Sequence, residues 1–176
     1  MDKIKESIKH HEGYRNKVYL DTLGKRTVGY GHLCVEDFWE DDKEYDKEFL
    51  DGIFDVDYKK AEDSAKRLFE MNGCQDMDDQ AKGIIIEMVF QLGPTGVSKF
   101  KMMWKSLSEL NYVGASYEMI DSRWYKQTTN RAKELSNRMK SIGAYNEKEL
   151  KTSKQTKESR SSKTTNSSKK QNGFHG

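Results

Sequence analysis

At 176 residues the chain is long enough to bury one hydrophobic core, with room for two lobes around a cleft. Hydrophobic and charged residues each make up 34%, and no apolar run is long enough to span a bilayer, which argues against membrane insertion. The net charge of +2 is unevenly spread: residues 146–176 hold 8 Lys/Arg against 3 Glu, a net of +5 that leaves −3 for residues 1–145.

Residues 2–12 read as a short helix, with Asp2 as a cap and Ile4, Ile8 and His11 on one face. Gly13 suits the left-handed residue that ends such a helix. Glu12 then lies in the last turn, where the helix dipole disfavours a carboxylate, a mild anomaly that marks it for attention. Lys17–Asp21 and Arg26–Gly31 are rich in β-branched and aromatic residues around Thr22-Leu23-Gly24-Lys25, which predicts a hairpin. Gly29 and Gly31 thin the second strand, for a bend or for close approach by another group.

Residues 36–51 carry nine acidic side chains and two lysines. Their spacing fits no calcium loop, and the segment reads as a solvated loop followed by a short amphipathic stretch. Lys59–Met71 is a plausible helix joining two lobes, broken at Gly73. Ala81–Leu92 is apolar on all sides, as in a helix buried at the centre of a lobe, and Gly93-Pro94-Thr95-Gly96 stops it. Shorter helices are predicted around 98–110, 112–122 and 131–140.

The fold class is therefore α+β, mainly α, with one small antiparallel sheet. The expected organisation is a domain over 1–145: an N-terminal lobe with the hairpin (1–58), a linking helix (59–72) and a helical C-terminal lobe (73–145). The basic Ser/Thr/Lys-rich tail, 146–176, has too little apolar surface to offset the entropy of ordering. It reads as a solubilising extension, or as a segment drawn to anionic surfaces. No aromatic residues interleave its lysines, so nucleic acid is not an expected partner. Cys34 and Cys74 lack metal-ligand spacing and are expected as free thiols.

The chemistry concentrates in Glu12-Gly13-Tyr14-Arg15, Tyr19-Leu20-Asp21-Thr22, Gly24 and Thr27-Val28-Gly29-Tyr30-Gly31-His32. Glycoside hydrolysis needs a proton donor for the leaving oxygen and a second carboxylate that activates water or attacks the sugar. A glutamate at a helix end and an aspartate on an adjoining strand can face each other over a cleft. Thr27, on the return strand, can share the positioning of a water with Asp21. Each residue alone has a plainer reading: a solvated glutamate, a turn-capping aspartate, a strand threonine.

As a whole the pattern resembles the phage-type lysozymes of the T-even phages, family 24 of the glycoside hydrolases. Their signature is Glu-Gly, Tyr-x-Asp, a turn glycine, then Thr-x-Gly-x-Gly-His. Two further blocks look like the same family: Met88-Val89-Phe90-Gln91-Leu92-Gly93-Pro94-Thr95-Gly96-Val97 and Ser122-Arg123-Trp124-Tyr125-Lys126-Gln127-Thr128-Thr129-Asn130-Arg131-Ala132. The likeness covers residues 1 to about 145 and is weak between 34 and 80.

The resemblance implies a two-lobed lysozyme-like fold and an endo-acting muramidase. Such an enzyme hydrolyses the β-1,4 bond from N-acetylmuramic acid to N-acetylglucosamine with inversion, and needs no metal or cofactor. Glu12 would be the general acid, while Asp21 and Thr27 would hold the attacking water. Leu33, Phe90 and Gln91 would line the cleft, Arg131 would steady Glu12 by its charge, and His32 would form a structural ion pair with Asp55. The expected substrate is bacterial peptidoglycan and the expected state a monomer. The charged start, Met1 to Glu6, lacks the apolar stretch of a signal peptide, so synthesis in the cytoplasm and release through a lesion made by a holin-type partner are expected.

Some positions depart from the family. Leu23 stands where those enzymes carry a glutamate beside the site, and Met103 and Glu118 stand where they carry polar uncharged cleft residues. The stretch from 34 to 80 is shorter and more acidic, and an acidic cleft wall should repel anionic peptidoglycan at low salt. The rival reading is a catalytically inactive peptidoglycan-binding or structural protein on the same scaffold. Against it stands the joint retention of Glu12, Asp21 and Thr27. A transglycosylase has no use for a water-holding Asp21, and a chitinase would share the linkage.

Overall fold

The computed structural model describes residues 2–145, so the basic segment 146–176 lies outside the described residues, as does the side chain of Asp2. Helix α1 (Asp2–Glu12) closes on Gly13, whose φ of +70° lets its amide bond the Lys9 carbonyl at 3.1 Å. Its apolar face goes inward: Ile8 is fully buried and Ile4 packs against the same core.

Strands β1 (Arg15–Leu20) and β2 (Arg26–Gly29) form the expected hairpin, with Tyr19 opposite Thr27 and an irregularity between Arg15 and Tyr19. A third strand, β3 (His32–Leu33), was not anticipated from the sequence. It pairs antiparallel with β2, placing Leu33 opposite Thr27 and His32 opposite Val28. The reversal between β2 and β3 uses two left-handed glycines, Gly29 at φ +63° and Gly31 at φ +86°. The glycines thus mark a second turn and not a thinned continuation of β2.

Helix α2 runs Lys47–Met71, twelve residues longer at its start than the Lys59–Met71 segment predicted. Asp46 caps it, its carboxylate accepting from the amides of Glu48 and Phe49. Part of the acidic stretch is therefore a helix start, and Leu50, Phe54, Tyr58, Ala61, Ala65 and Leu68 keep one buried face along it. The rest is pinned by Trp39, 3% exposed, which packs with Val28 and Leu50 in a small cluster of their own. The Trp39 indole donates to Glu36 at 2.7 Å, and its carbonyl accepts from the Arg26 guanidinium at 2.7 Å. Phe54 and the residues beyond it belong to the main core, so α2 connects the two clusters.

Helix α3 (Asp79–Val97) breaks at Gly93 (φ 69°, ψ 163°), where the sequence placed its stop, and Pro94 begins the last turns. Ile84, Ile85, Ile86, Met88 and Val89 are all buried, because α3 is enclosed on every side. Gly83 admits Ile4 of α1 so closely that an added Cβ would lie 2.7 Å from Ile4 Cδ1. Helices α4 (Lys101–Ser108), α5 (Tyr112–Ile120) and α6 (Arg123–Gln127) follow, and α7 is described over residues 129–145. Met103, Leu107, Met119, Leu135 and Met139 from this group are fully buried. The fold is α+β, mainly α, with the sheet near the N-terminus. Cys34 and Cys74 are free thiols whose pKa values burial raises.

His32 ties the sheet to α2, but through Asp57 and not Asp55: Nδ1 lies 2.7 Å from the Asp57 carboxylate. Two residues on a helix are about 200° apart. Asp55 thus turns to α1 and pairs with Lys5 at 2.7 Å. The Asp57 hydrogen bond raises the His32 pKa above its ordinary 6.5, against the opposing effect of burial. Because the folded value is raised, the pair's stabilisation is complete below pH 6.5 and is lost as pH rises through the folded value. Asp57→Asn is expected to lower Tm by roughly 3–10 °C at pH 5 and by much less at pH 9 in thermal melts.

Candidate active site

Glu12 sits where α1, the β2–β3 turn and α7 meet. Its Oε1 accepts from Arg131 Nη1 at 2.6 Å, joining positions 119 residues apart. Arg131 is 7% exposed at the start of α7 and has no other partner among the described residues for Nε and Nη2. On the other side the Gly31 backbone comes close: a Cβ built there would lie 3.3 Å from Glu12 Oε2. The carboxylate is held from two sides, yet its side chain remains 22% exposed. It opens on a pocket of about 480 Å³ lined also by His11, Gln91, Gln127, Thr128, Thr129 and Asn130.

Asp21 ends β1 and organises the hairpin turn. Its Oδ1 accepts from the amides of Leu23 and Lys25, both at 2.8 Å, while Oδ2 makes no hydrogen bond among the described residues. One oxygen holds the turn, and the other is free of it. Thr27 is 4% exposed and its hydroxyl donates to the Lys25 carbonyl at 3.1 Å, which leaves the oxygen lone pairs as its free function. Tyr19, opposite Thr27, lies within the electrostatic reach of both carboxylates. Burial raises its pKa, Arg15 opposes the rise, and the charges of Glu12 and Asp21 add to it. The hairpin thus sets Thr27 opposite Tyr19, the residue on which the charges of both Glu12 and Asp21 act.

The three expected sugar contacts divide between two pockets. Leu33, 41% exposed, and Phe90 line a space of about 380 Å³ with His32, Glu36 and Asp57. Phe90 also packs on the core, its ring 5.6 Å from that of Phe54. Gln91 lines the Glu12 pocket, where its side-chain oxygen accepts from the Trp124 indole at 2.9 Å. Met103 and Glu118 are not at Glu12: they line a third pocket of about 550 Å³ in the helical region, and Met103 is fully buried. Leu23 is 77% exposed on the hairpin turn.

Sequence reading passed over His11 and Gln127 as neighbours of Glu12. His11 looked like part of an apolar helix face, and Gln127 was one polar residue within a longer block. Glu87 carried a readable signal, a carboxylate in an otherwise apolar helix. Gly31 carries a prediction of its own. Gly24→Ala meets open space and adds only left-handed strain, whereas Gly31→Ala adds the contact with Glu12. In urea denaturation Gly24→Ala should cost about 1 kcal/mol and Gly31→Ala about 1 kcal/mol more. Equal losses would mean that Glu12 is not held against the turn.

Comparison with known proteins bears on the family of the chain. The family described as phage lysozyme matches residues 9–141, which include Glu12, Asp21, Thr27 and Arg131. The chain is 31% identical to the probable T4-type lysozyme 1 of Dictyostelium discoideum, over 79% of this chain and 92% of that protein. It is 28% identical to the probable T4-type lysozyme 2 of the same organism over the same shares. A 27% identical match covers 72% of this chain and 26% of the pre-baseplate central spike protein of Enterobacteria phage T4. The family match over residues 9–141, together with a relative 31% identical over 79% of the chain, places the chain in the phage lysozyme family.

Proposed function

We propose that this chain is an endo-acting muramidase that hydrolyses the β-1,4 bond between N-acetylmuramic acid and N-acetylglucosamine in bacterial peptidoglycan, acting as a monomer. Its family already assigns it to the lysozyme-type glycoside hydrolases. The observation that carries the finer reading is the seat of Glu12, held by Arg131 and Gly31 yet open to a pocket.

Glu12 gives its proton to the departing glycosidic oxygen as the bond to the anomeric carbon breaks. Arg131 then faces the carboxylate so formed and stabilises it. A water held by the free oxygen of Asp21 and the lone pairs of Thr27 attacks the anomeric carbon from the opposite face. Its proton passes to Asp21. Attack from the opposite face inverts the configuration, and this geometry needs room for a water between the two carboxylates. Leu33 and Phe90 give a sugar an apolar surface on one flank of the cleft, and Gln91 an amide on the other.

The test is release of reducing ends from purified peptidoglycan, with products identified by mass spectrometry and their first-formed anomer by NMR. The wild type should yield hydrolysed muramic-acid ends of inverted configuration. Glu12→Gln should lower kcat by about 10²–10⁴-fold, Asp21→Asn by a similar factor and Thr27→Ala by less. Anhydro ends would reassign the chain as a transglycosylase, and intact binding without cleavage would leave an inactive scaffold.

A further inference from the structure

Beneath Glu12 lies a cluster of ionisable groups that the proposed chemistry leaves unused. Glu87 of α3 is 0% exposed, among Ile84, Ile85, Ile86 and Met88. Its Oε1 accepts from Arg138 Nη1 of α7 at 2.8 Å and its Oε2 from the Ser7 hydroxyl of α1 at 2.8 Å. Arg138 Nη1 also reaches Ser7 Oγ at 3.2 Å and lies 4.0 Å from Glu134 of the same helix. His11 of α1 is wedged between the two carboxylates, with its side chain 12% exposed. Nε2 is 3.1 Å from Glu134 Oε2, and Nδ1, buried and without a hydrogen-bond partner, is 3.9 Å from Glu87 Oε2.

The other groups around the ring do not change this balance. His10 of α1 meets the His11 ring edge-on at 5.6 Å between centroids. Glu12 and Arg131 are paired with each other. From α2, the buried Tyr58 phenol has its pKa raised by burial, with the charges of Glu62 and Glu87 adding to the effect. That leaves two carboxylates against one guanidinium, and the cluster is neutral only when His11 carries a proton. Hydrogen-bond chemistry points the same way. A neutral imidazole has one N–H, so one ring nitrogen would turn its lone pair toward a carboxylate; the imidazolium presents an N–H to each. Glu87 is fully buried with Arg138 and Ser7 as partners and Glu134 is half-exposed, so the imidazolium adds its charge at the junction between a buried ion pair and a surface carboxylate.

His11 directly precedes Glu12 in the last turn of α1. We propose that His11 is a positioning residue: its protonated ring clamps the end of α1 to α3 and α7 and thereby fixes the Glu12 carboxylate against Arg131. Loss of the proton relaxes that clamp, so the geometry of Glu12 becomes linked to the charge on the His11 ring. The kinetic consequence rests on the muramidase reading, whereas the structural link does not.

The experiment compares kcat for the wild type with His11→Gln, His11→Lys and Glu134→Gln between about pH 4.5 and 9. Taking the ratio of wild type to variant cancels the titration of Glu12 itself. For His11→Gln the ratio should be about tenfold where the wild-type ring carries its proton and approach one where it does not. His11→Lys keeps a cation and should remove the imidazole step from the pH profile, and Glu134→Gln, a change at a half-exposed position, should shrink it. A ratio that is flat with pH, with Tm lowered equally throughout, would overturn the proposal and leave His11 a packing residue. A second measurement does not need activity: the Arg131 Nε–H resonance should step with the His11 titration in the wild type and in no His11 variant. That step in a chain without cleavage would sink the muramidase reading and sustain the clamp; its absence from an active chain would sink the clamp alone.

Discussion

One ion pair organises this molecule. Glu12 and Arg131 lie 119 residues apart, yet their side chains meet at 2.6 Å, so the end of α1 must dock on the start of α7. A carboxylate in the last turn of a helix opposes the helix dipole. Here the guanidinium of a nearly buried arginine offsets that cost. An unfavourable local placement is thus held by distant structure.

The remaining architecture serves that junction. Helix α3 fills the centre with isoleucines and lets α1 approach through Gly83, which sets the height at which Glu12 emerges. The β2–β3 turn folds Gly31 onto the other face of Glu12. Asp21 spends one oxygen on the hairpin turn and keeps the other free of hydrogen bonds among the described residues. Helix α2, by carrying Leu50 in the small cluster and Phe54 in the main core, holds the sheet at a fixed distance from the helices. His32 and Asp57 add a charged tie across the same joint.

Much of this was legible in the residues. The glycines at 13 and 24 marked turns, the apolar stretch over 81–92 marked a central helix, and the signature from Glu12 to His32 marked the family. The misreadings have specific causes. The start of α2 was hidden because Asp46 looked like one more acid in a run, although Leu50, Phe54 and Tyr58 already carried helical spacing. Strand β3 is two residues long, too short for alternation to show. The partner of His32 was placed one strand-like step from the true one, because which face of α2 meets the sheet is a matter of packing.

By itself, the sequence determined the secondary structure of the core helices, the hairpin and the residue types of the site, since these depend on local spacing and turn chemistry. Tertiary structure alone decided which groups share an environment: Glu12 with Arg131, Leu33 with Phe90 but apart from Gln91, and His11 between Glu87 and Glu134. Charge balance and burial are properties of groups brought together through space. A chain position therefore carries neither until the helices that flank it have packed.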